Sequence, residues 1–281
     1  MTQSEANPII LQALKEDLGN GDHSSLSCIE SATEASALLI VKDTGILAGI
    51  EVAQWVCDAV DAHLIIEHKL HDGASVQPGD IAFKLHGKAL SILKAERLLL
   101  NFMQRMSGIA TSTHAYVQLI AGLNTKLLDT RKTTPGLRAF EKWAVRIGGG
   151  HNHRFGLYDM IMLKDNHIDY AGGVKAAIIK ANKYRTAHQL PIKIEVETRN
   201  IKEVQQALET NAIDRIMLDN FTIIDCAQAV KLIDNCVETE ASGGITKETL
   251  RDYAQTGVDY ISIGAFTHSY KSLDLSLKAV R

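Results

Sequence analysis

From Lys126 to Gly264 the chain alternates short apolar runs with amphipathic stretches, and this rhythm restricts the possible folds more than any other feature. The runs are "KLLDT", "DMIMLK", "IKIEVE", "RIMLDN", "VETEAS" and "YISIGA". Between them stand "PGLRAFEKWAVRI", "GGVKAAIIKANKYR", "NIKEVQQALET", "IIDCAQAVKLIDN" and "TKETLRDYAQTG", with apolar residues at helical spacing. Pro135 suits a first helical turn, and "TKET" a capping box. Strand alternating with helix at this spacing makes parallel βα units. At least six units in series predict a (β/α) barrel rather than an open sheet.

Residues 1–110 read differently. A helix-like pattern over Ile9 to Leu18 precedes the strand-like runs "SALLIVKD", "LIIEHKL" and "DIAFKLHG", which are separated by Asp72-Gly73 and Pro78-Gly79-Asp80. "WVCDAV" continues a helix between the strands. "ILKAERLLLNFMQRMSGIATSTHAYVQLI" has long helical periodicity, with a break predicted near Ser107-Gly108. The expected organisation is an N-terminal α/β domain with its interdomain helix over 1–110, a barrel carrying the site over 111–270, and a segment 271–281 packing back on the first domain. A chain of 281 residues has ample length for both cores.

The net charge of −3 argues against a nucleic-acid or membrane-surface binder. "MTQSEANPII" has neither a basic start nor a long apolar run, so no signal peptide is expected, and no run reaches the length of a membrane span. Cys28, Cys57, Cys226 and Cys236 form no CxxC pair and read as reduced thiols. The expected location is cytoplasmic.

Polar residues collect where the apolar runs end: Asp129 to Lys132, Lys164 to His167, Glu197, Asp219-Asn220, Glu240 to Gly244, and Gly264. In a barrel these ends converge on one mouth, where active sites are built. Lys126 to Asp169 holds eight Lys/Arg against five Asp/Glu, so 8 − 5 = +3 within a chain of −3. Arg131, Lys132, Arg154 and Lys164, with His153 and His151, can therefore form a pocket for several carboxylates or phosphates.

Two further groups complete the expected mouth. "ASGGIT" leads a strand through Ser242, Gly243 and Gly244 into a helix, and bare amides at a helix start can cradle phosphate. "SIGAFTHS" adds Gly264 and His268, and Gly148 to Gly150 end an earlier helix. Alternation puts Lys193, Glu195 and Glu197 on one strand face, with Glu197 reaching the mouth and Lys193–Glu195 expected as a buried pair below. Glu197 and Asp219 could hold Mg²⁺, bond ribose hydroxyls or stabilise a developing cation. Together these features describe transfer between a polycarboxylate and a phosphorylated sugar.

"EDLGNGDHSS", "AERLLLNFMQRMSGIAT", "DTRKTTPGLR", "EKWAVRIGGGHNHRFGLYDMIMLKDNHI", "IEVET", "IMLDN" and "ASGGI" resemble the nicotinate-nucleotide pyrophosphorylase family, also called quinolinate phosphoribosyltransferase. The resemblance spans nearly the whole chain. "HSS" departs from the family, which has a more apolar residue and Thr there. The resemblance implies an N-terminal α/β sandwich-like domain plus an incomplete (β/α) barrel, in a homodimer. It implies that quinolinate and 5-phosphoribosyl 1-pyrophosphate give nicotinate mononucleotide, pyrophosphate and CO₂, with Mg²⁺.

By motif position, Arg131, His153, Arg154 and Lys164 resemble the quinolinate-binding residues, and Arg97 an arginine donated across the dimer. Lys132 resembles the lysine near the pyrophosphate. Glu197 and Asp219 resemble the acidic pair at ribose and Mg²⁺, and these three carry the catalytic assignment. Ser242, Gly243, Gly244, Gly264 and His268 fall where the family binds the 5-phosphate. Rival readings are a molybdenum-transport-associated paralogue, a Schiff-base aldolase using Lys164, and a non-catalytic ligand sensor. The paralogue shares "TRKT" and "HR" but diverges around "LKDNH", which is intact here.

Overall fold

The computed structural model describes residues 1–280; Arg281, the end of the expected C-terminal segment, and the side chain of His68 lie outside the described set. The elements in chain order are α1 (Gln3–Leu18), α2 (His23–Cys28), β1 (Glu34–Val41), β2 (Gly45–Ile46), α3 (Ile50–Val60), β3 (Ile65–His68), β4 (Ser75–Val76), β5 (Ile81–Lys88) and α4 (Ala89–Leu119). There follow β6 (Lys126–Leu128), α5 (Arg138–Ile147), β7 (Met160–Leu163), α6 (Asp165–Ala171), α7 (Val174–Ala187), β8 (Lys193–Thr198), α8 (Ile201–Leu208) and β9 (Arg215–Asp219). The last are α9 (Ile223–Ile233), β10 (Glu238–Ser242), α10 (Lys247–Gln255), β11 (Tyr260–Ser262), α11 (Ala265–His268) and β12 (Leu275–Ala279).

One compact unit comprises Met1–His114, Thr133–Gly149 and the chain from Phe266 onward. Its main sheet has the order β12-β1-β5-β3, with antiparallel neighbours. Period-2 burial along β1 places Ala37, Leu39 and Val41 inside, and Leu39 lies opposite both Phe83 and Leu277. α1 packs on α3 and buries Ala6, Ile10 and Leu14. β12 is the edge strand that the C-terminal segment adds to β1.

The expected break in the long helix is absent: α4 runs continuously through Ser107-Gly108. The pair serves close packing instead. The Ser107 hydroxyl accepts the Ala48 N–H at 2.8 Å and donates to the Ala48 carbonyl at 3.1 Å. A Cβ on Gly108 would collide with the Lys271 carbonyl. The cost of a glycine inside a helix, about 1 kcal/mol, is offset by that backbone contact.

The segment around α5 also departs from expectation. The expected barrel takes it in, yet Thr133–Gly149 belongs to the first unit. Its aromatic face explains this: Trp143 stacks on Trp55 with centroids 5.6 Å apart, and Phe140 on Phe102 at 4.7 Å. Glu141, fully buried, takes an ion pair from Arg105. Pro135 lies in the turn before α5, where Leu137 N–H reaches the Thr134 carbonyl, and not in its first helical turn.

The second unit comprises Ala115–Lys132 and Gly150–Ala265. Its six parallel strands have the order β6-β11-β10-β9-β8-β7. Among the described residues β6 and β7 do not pair, so the barrel is incomplete. Carboxylates pin the strand starts: Asp214 accepts the Ile194 N–H at 2.7 Å, and Asp259 the Thr239 N–H at 2.8 Å. The strand ends are thereby fixed relative to one another. α10 begins at the expected "TKET" cap, where the Thr249 hydroxyl accepts the Thr246 N–H at 3.1 Å.

Candidate active site

At the C-terminal ends of β7, β8 and β9, charged side chains converge. Lys164 caps α6, and His167 Nδ1 accepts its N–H at 3.0 Å. Its Nζ lies 3.3 Å from Glu197 Oε2, at the end of β8. Asp219 ends β9, and Asn220 Nδ2 donates to it at 2.7 Å. Burial first, then the charge of Glu197, holds the Asp219 carboxyl above its ordinary range, against the opposing pull of Asn220 and Lys164. The structure thus brings Lys164, Glu197 and Asp219 into one electrostatic field. Lys164 is half exposed and ion-paired, not desolvated as a Schiff-base nucleophile requires.

The cationic side follows β6. Asp129 is fully buried and accepts the His153 N–H at 2.9 Å and the Asn152 side-chain amide. His151 continues the β6 edge through a parallel bridge to Leu128, and its own side chain is exposed. Arg154 is half-buried, and its Nη1 donates to the Met160 carbonyl at 3.2 Å. Burial and the neighbouring charge of Arg131 both work against the Arg154 charge. Two guanidinium groups near enough for one charge to act on the other favour binding of an anion. Lys132 is exposed, and its N–H donates to the Thr130 hydroxyl at 3.1 Å.

The turn after β10 is built for close approach. Gly243 has φ +93°, and a Cβ there would strike Asn220 Oδ1; the Asn220 N–H meanwhile donates to the Ser242 carbonyl at 2.8 Å. Gly244 has φ +63° with open space around it. Ser242 and Gly264 are half-buried at the ends of their strands. His268 belongs to the first unit, is exposed, and shares a 2.7 Å hydrogen bond with Ser269. Arg97 is exposed on α4 beside the buried Leu98, Leu99 and Leu100.

The expected Lys193–Glu195 pair does not form. Lys193 is exposed and donates to both Glu238 oxygens at 2.9 Å. Glu195, fully buried, faces His153 Nε2 at 3.0 Å, and Glu240 Oε2 lies 3.3 Å from the same nitrogen. Arg215 Nη1 donates to Glu240 at 2.9 Å and stacks over the Tyr260 ring. Sequence reasoning missed this buried network. Its only signals were Glu240 at a strand end and Glu195 two residues before Glu197 on the same face.

The family model for the quinolinate phosphoribosyl transferase N-terminal domain matches residues 22–107, and that for the C-terminal domain residues 109–278. Quinolinate phosphoribosyltransferase [decarboxylating] 1b of Nicotiana tabacum is 47% identical over 96% of this chain and 81% of its own length. A probable nicotinate-nucleotide pyrophosphorylase [carboxylating] of Bacillus subtilis is 44% identical over 93% of this chain and 89% of its own. Among solved structures, NadC from Streptococcus pyogenes superimposes with a TM-score of 0.94 at 39% identity, covering 100% of this chain and 99% of that one. The nicotinate-nucleotide pyrophosphorylase of Francisella tularensis gives 0.93 at 39% identity, covering 100% and 98%. With both domain models matched in order along nearly all of its length, the chain belongs to the quinolinate phosphoribosyl transferase family.

Proposed function

We propose that the chain transfers the phosphoribosyl group of 5-phosphoribosyl 1-pyrophosphate to quinolinate with loss of CO₂. The products are nicotinate mononucleotide and pyrophosphate, a step of NAD biosynthesis. The observation that carries this reading is the charge pattern of the mouth in a chain of this family: Arg131 beside Arg154 on one side, and the Lys164, Glu197 and Asp219 cluster on the other. The first suits a diacid, and the second suits a sugar that develops positive charge.

Each residue then has a task. Arg131, Arg154 and Lys164 hold quinolinate, and Lys132 serves the pyrophosphate end. His153, expected among the diacid ligands, is buried with Nε2 turned to Glu195 and Glu240 and Nδ1 on the Arg154 N–H, so it supports Arg154 instead. Ser242, Gly243, Gly244, Gly264 and His268 are assigned to the 5-phosphate by their motifs. Breaking the ribosyl C–O bond builds positive charge on the sugar. Glu197 and Asp219 stabilise that charge, and binding orients the quinolinate nitrogen for attack. Once the ring nitrogen is quaternary, its positive charge stabilises the electron pair that the departing carboxylate leaves on C2, and C2 then takes a proton from water to give nicotinate mononucleotide.

Glu197 and Asp219 also fit Mg²⁺. They offer oxygen donors only, close enough for the charge of one to raise the pKa of the other. That donor set suits a cation that takes one or two carboxylates plus substrate phosphates. When bound, the ion neutralises charge on the departing pyrophosphate.

We further propose a cytoplasmic homodimer in which Arg97 of one subunit reaches the partner's site. The exposure of Arg97 on α4 supports the second part. Four free cysteines suit a reducing compartment, and no described helix is long and apolar enough to cross a membrane. Substrate choice tests the central reading. Quinolinate should turn over and nicotinate should be a poor substitute, because loss of the C2 carboxylate leaves part of the cationic site unmatched. Equal turnover of the two acids would remove the diacid assignment.

A further inference from the structure

Below the mouth lies a second charged layer that the roles above leave unused. Glu195 sits two residues before Glu197 and on the same face of β8, one layer deeper. Arg215 pairs in register with both Glu195 and Glu238 across β9, while Glu240 comes from β10. His153 enters from the segment after β6, which Asp129 anchors through the His153 N–H. Every side chain of this layer is buried: Glu195 and Glu240 are 0% exposed, Arg215 6% and His153 9%.

A buried charge layer of this kind is costly unless its members are paired and hydrogen-bonded. Against the effect of burial, His153 and Arg215 hold the Glu240 carboxyl below its ordinary range. At the far side of the His153 ring, the Arg154 N–H donates to Nδ1 at 2.6 Å. An Nδ1 that accepts carries no proton, so the proton of the ring sits at Nε2, facing Glu195 and Glu240. His153, Glu195 and Glu240 could converge on a metal ion, but Arg215 at 2.9 Å from Glu240 already supplies the positive charge there.

The ring thus works as a strut. One nitrogen is anchored in the carboxylates, and the other holds the backbone of Arg154. We propose that Glu195 and Glu240 are positioning residues that act through His153 to set the Arg154 guanidinium beside Arg131. The effect on the diacid rests on the reading of Arg154 as a quinolinate ligand; the positioning itself does not.

The test compares Glu240→Gln, Arg154→Ala and the double variant, with Glu195→Gln in parallel. Glu195→Gln keeps its shape and leaves the Arg215–Glu240 pair intact, so it reports the same coupling if Glu240→Gln does not fold. Glu240→Gln should raise the quinolinate KM about tenfold or more, since small misplacements of a binding group are costly. The KM for 5-phosphoribosyl 1-pyrophosphate should stay within about twofold, and in the Arg154→Ala background the added effect on quinolinate should fall below about twofold. The Arg154 backbone amide resonance should move in both glutamine variants. Fully additive effects on the quinolinate KM, or an unmoved Arg154 amide in the folded variants, would overturn the proposal. An Arg154→Ala variant with unchanged quinolinate KM would remove Arg154 from the diacid site, and the amide resonance alone would then decide the positioning.

Discussion

Lys164 Nζ sits 3.3 Å from Glu197 Oε2, so a single ion pair joins the ends of β7 and β8. The pair has one member assigned to each substrate. Removing Glu197 leaves the lysine free to meet a carboxylate of quinolinate. Removing Lys164 leaves Glu197, already 7% exposed, with less compensation for its burial.

The acidic residues should therefore matter to turnover more than to diacid binding. Glu197→Ala and Asp219→Ala should each lower kcat on the order of 10²-fold, as expected for groups acting mainly in the transition state. Calorimetry should show quinolinate still bound. Lost quinolinate binding with normal turnover at saturation would contradict the assignment.

Arg97 should act across the dimer. Mixing Arg97→Ala with Lys132→Ala subunits creates heterodimers with one doubly defective site and one intact site. After full exchange about half of the dimers are mixed, so activity should recover to about one quarter of wild type. Exchange verified by mass spectrometry with no recovery would place Arg97 outside the partner's site.

The two glycines after β10 should differ. Gly243→Ala must adopt φ +93° and displace Asn220, which is locked to Ser242. It should cost about 2–4 kcal/mol. Gly244→Ala, at φ +63° in open space, should cost about 1 kcal/mol. Denaturant midpoints measure both, and equal losses would mean that the contact with Asn220 does not constrain the turn.

The thiols should divide into two classes. Burial pushes the Cys57 thiol up to about 12 and raises Cys226 as well, whereas Cys28 and Cys236 are exposed. Only thiolates alkylate readily, so at pH 8 iodoacetamide should modify Cys28 and Cys236 in the folded protein and spare the other two. Peptide mapping that finds Cys57 labelled as fast as Cys28 would show that its site opens.

The sequence disclosed the elements whose periodicity is set locally. β9 shows as an apolar run because both faces of its centre are buried, β8 as an alternation of apolar and charged residues, and α8 to α10 as amphipathic stretches because one face is buried. The mouth was legible for the same reason: Lys164, Glu197 and Asp219 each end a run. What lay beyond reach depended on partners distant in sequence. Ser107-Gly108 looked like a helix break because nothing nearby reveals Lys271 against the glycine. α5 looked like a barrel helix until Trp143 and Phe140 found Trp55 and Phe102. The His153 network draws on β8, β9, β10 and the segment after β6, and no local pattern links those four.

The reaction itself gives the most direct test. Purified protein should be incubated with Mg²⁺, 5-phosphoribosyl 1-pyrophosphate and quinolinate labelled with ¹⁴C in the C2 carboxyl group. Labelled CO₂, pyrophosphate and nicotinate mononucleotide should appear in equal amounts, and none should form when either substrate is withheld. Turnover of the sugar substrate without release of labelled CO₂, or no nicotinate mononucleotide from active folded protein, would contradict the account.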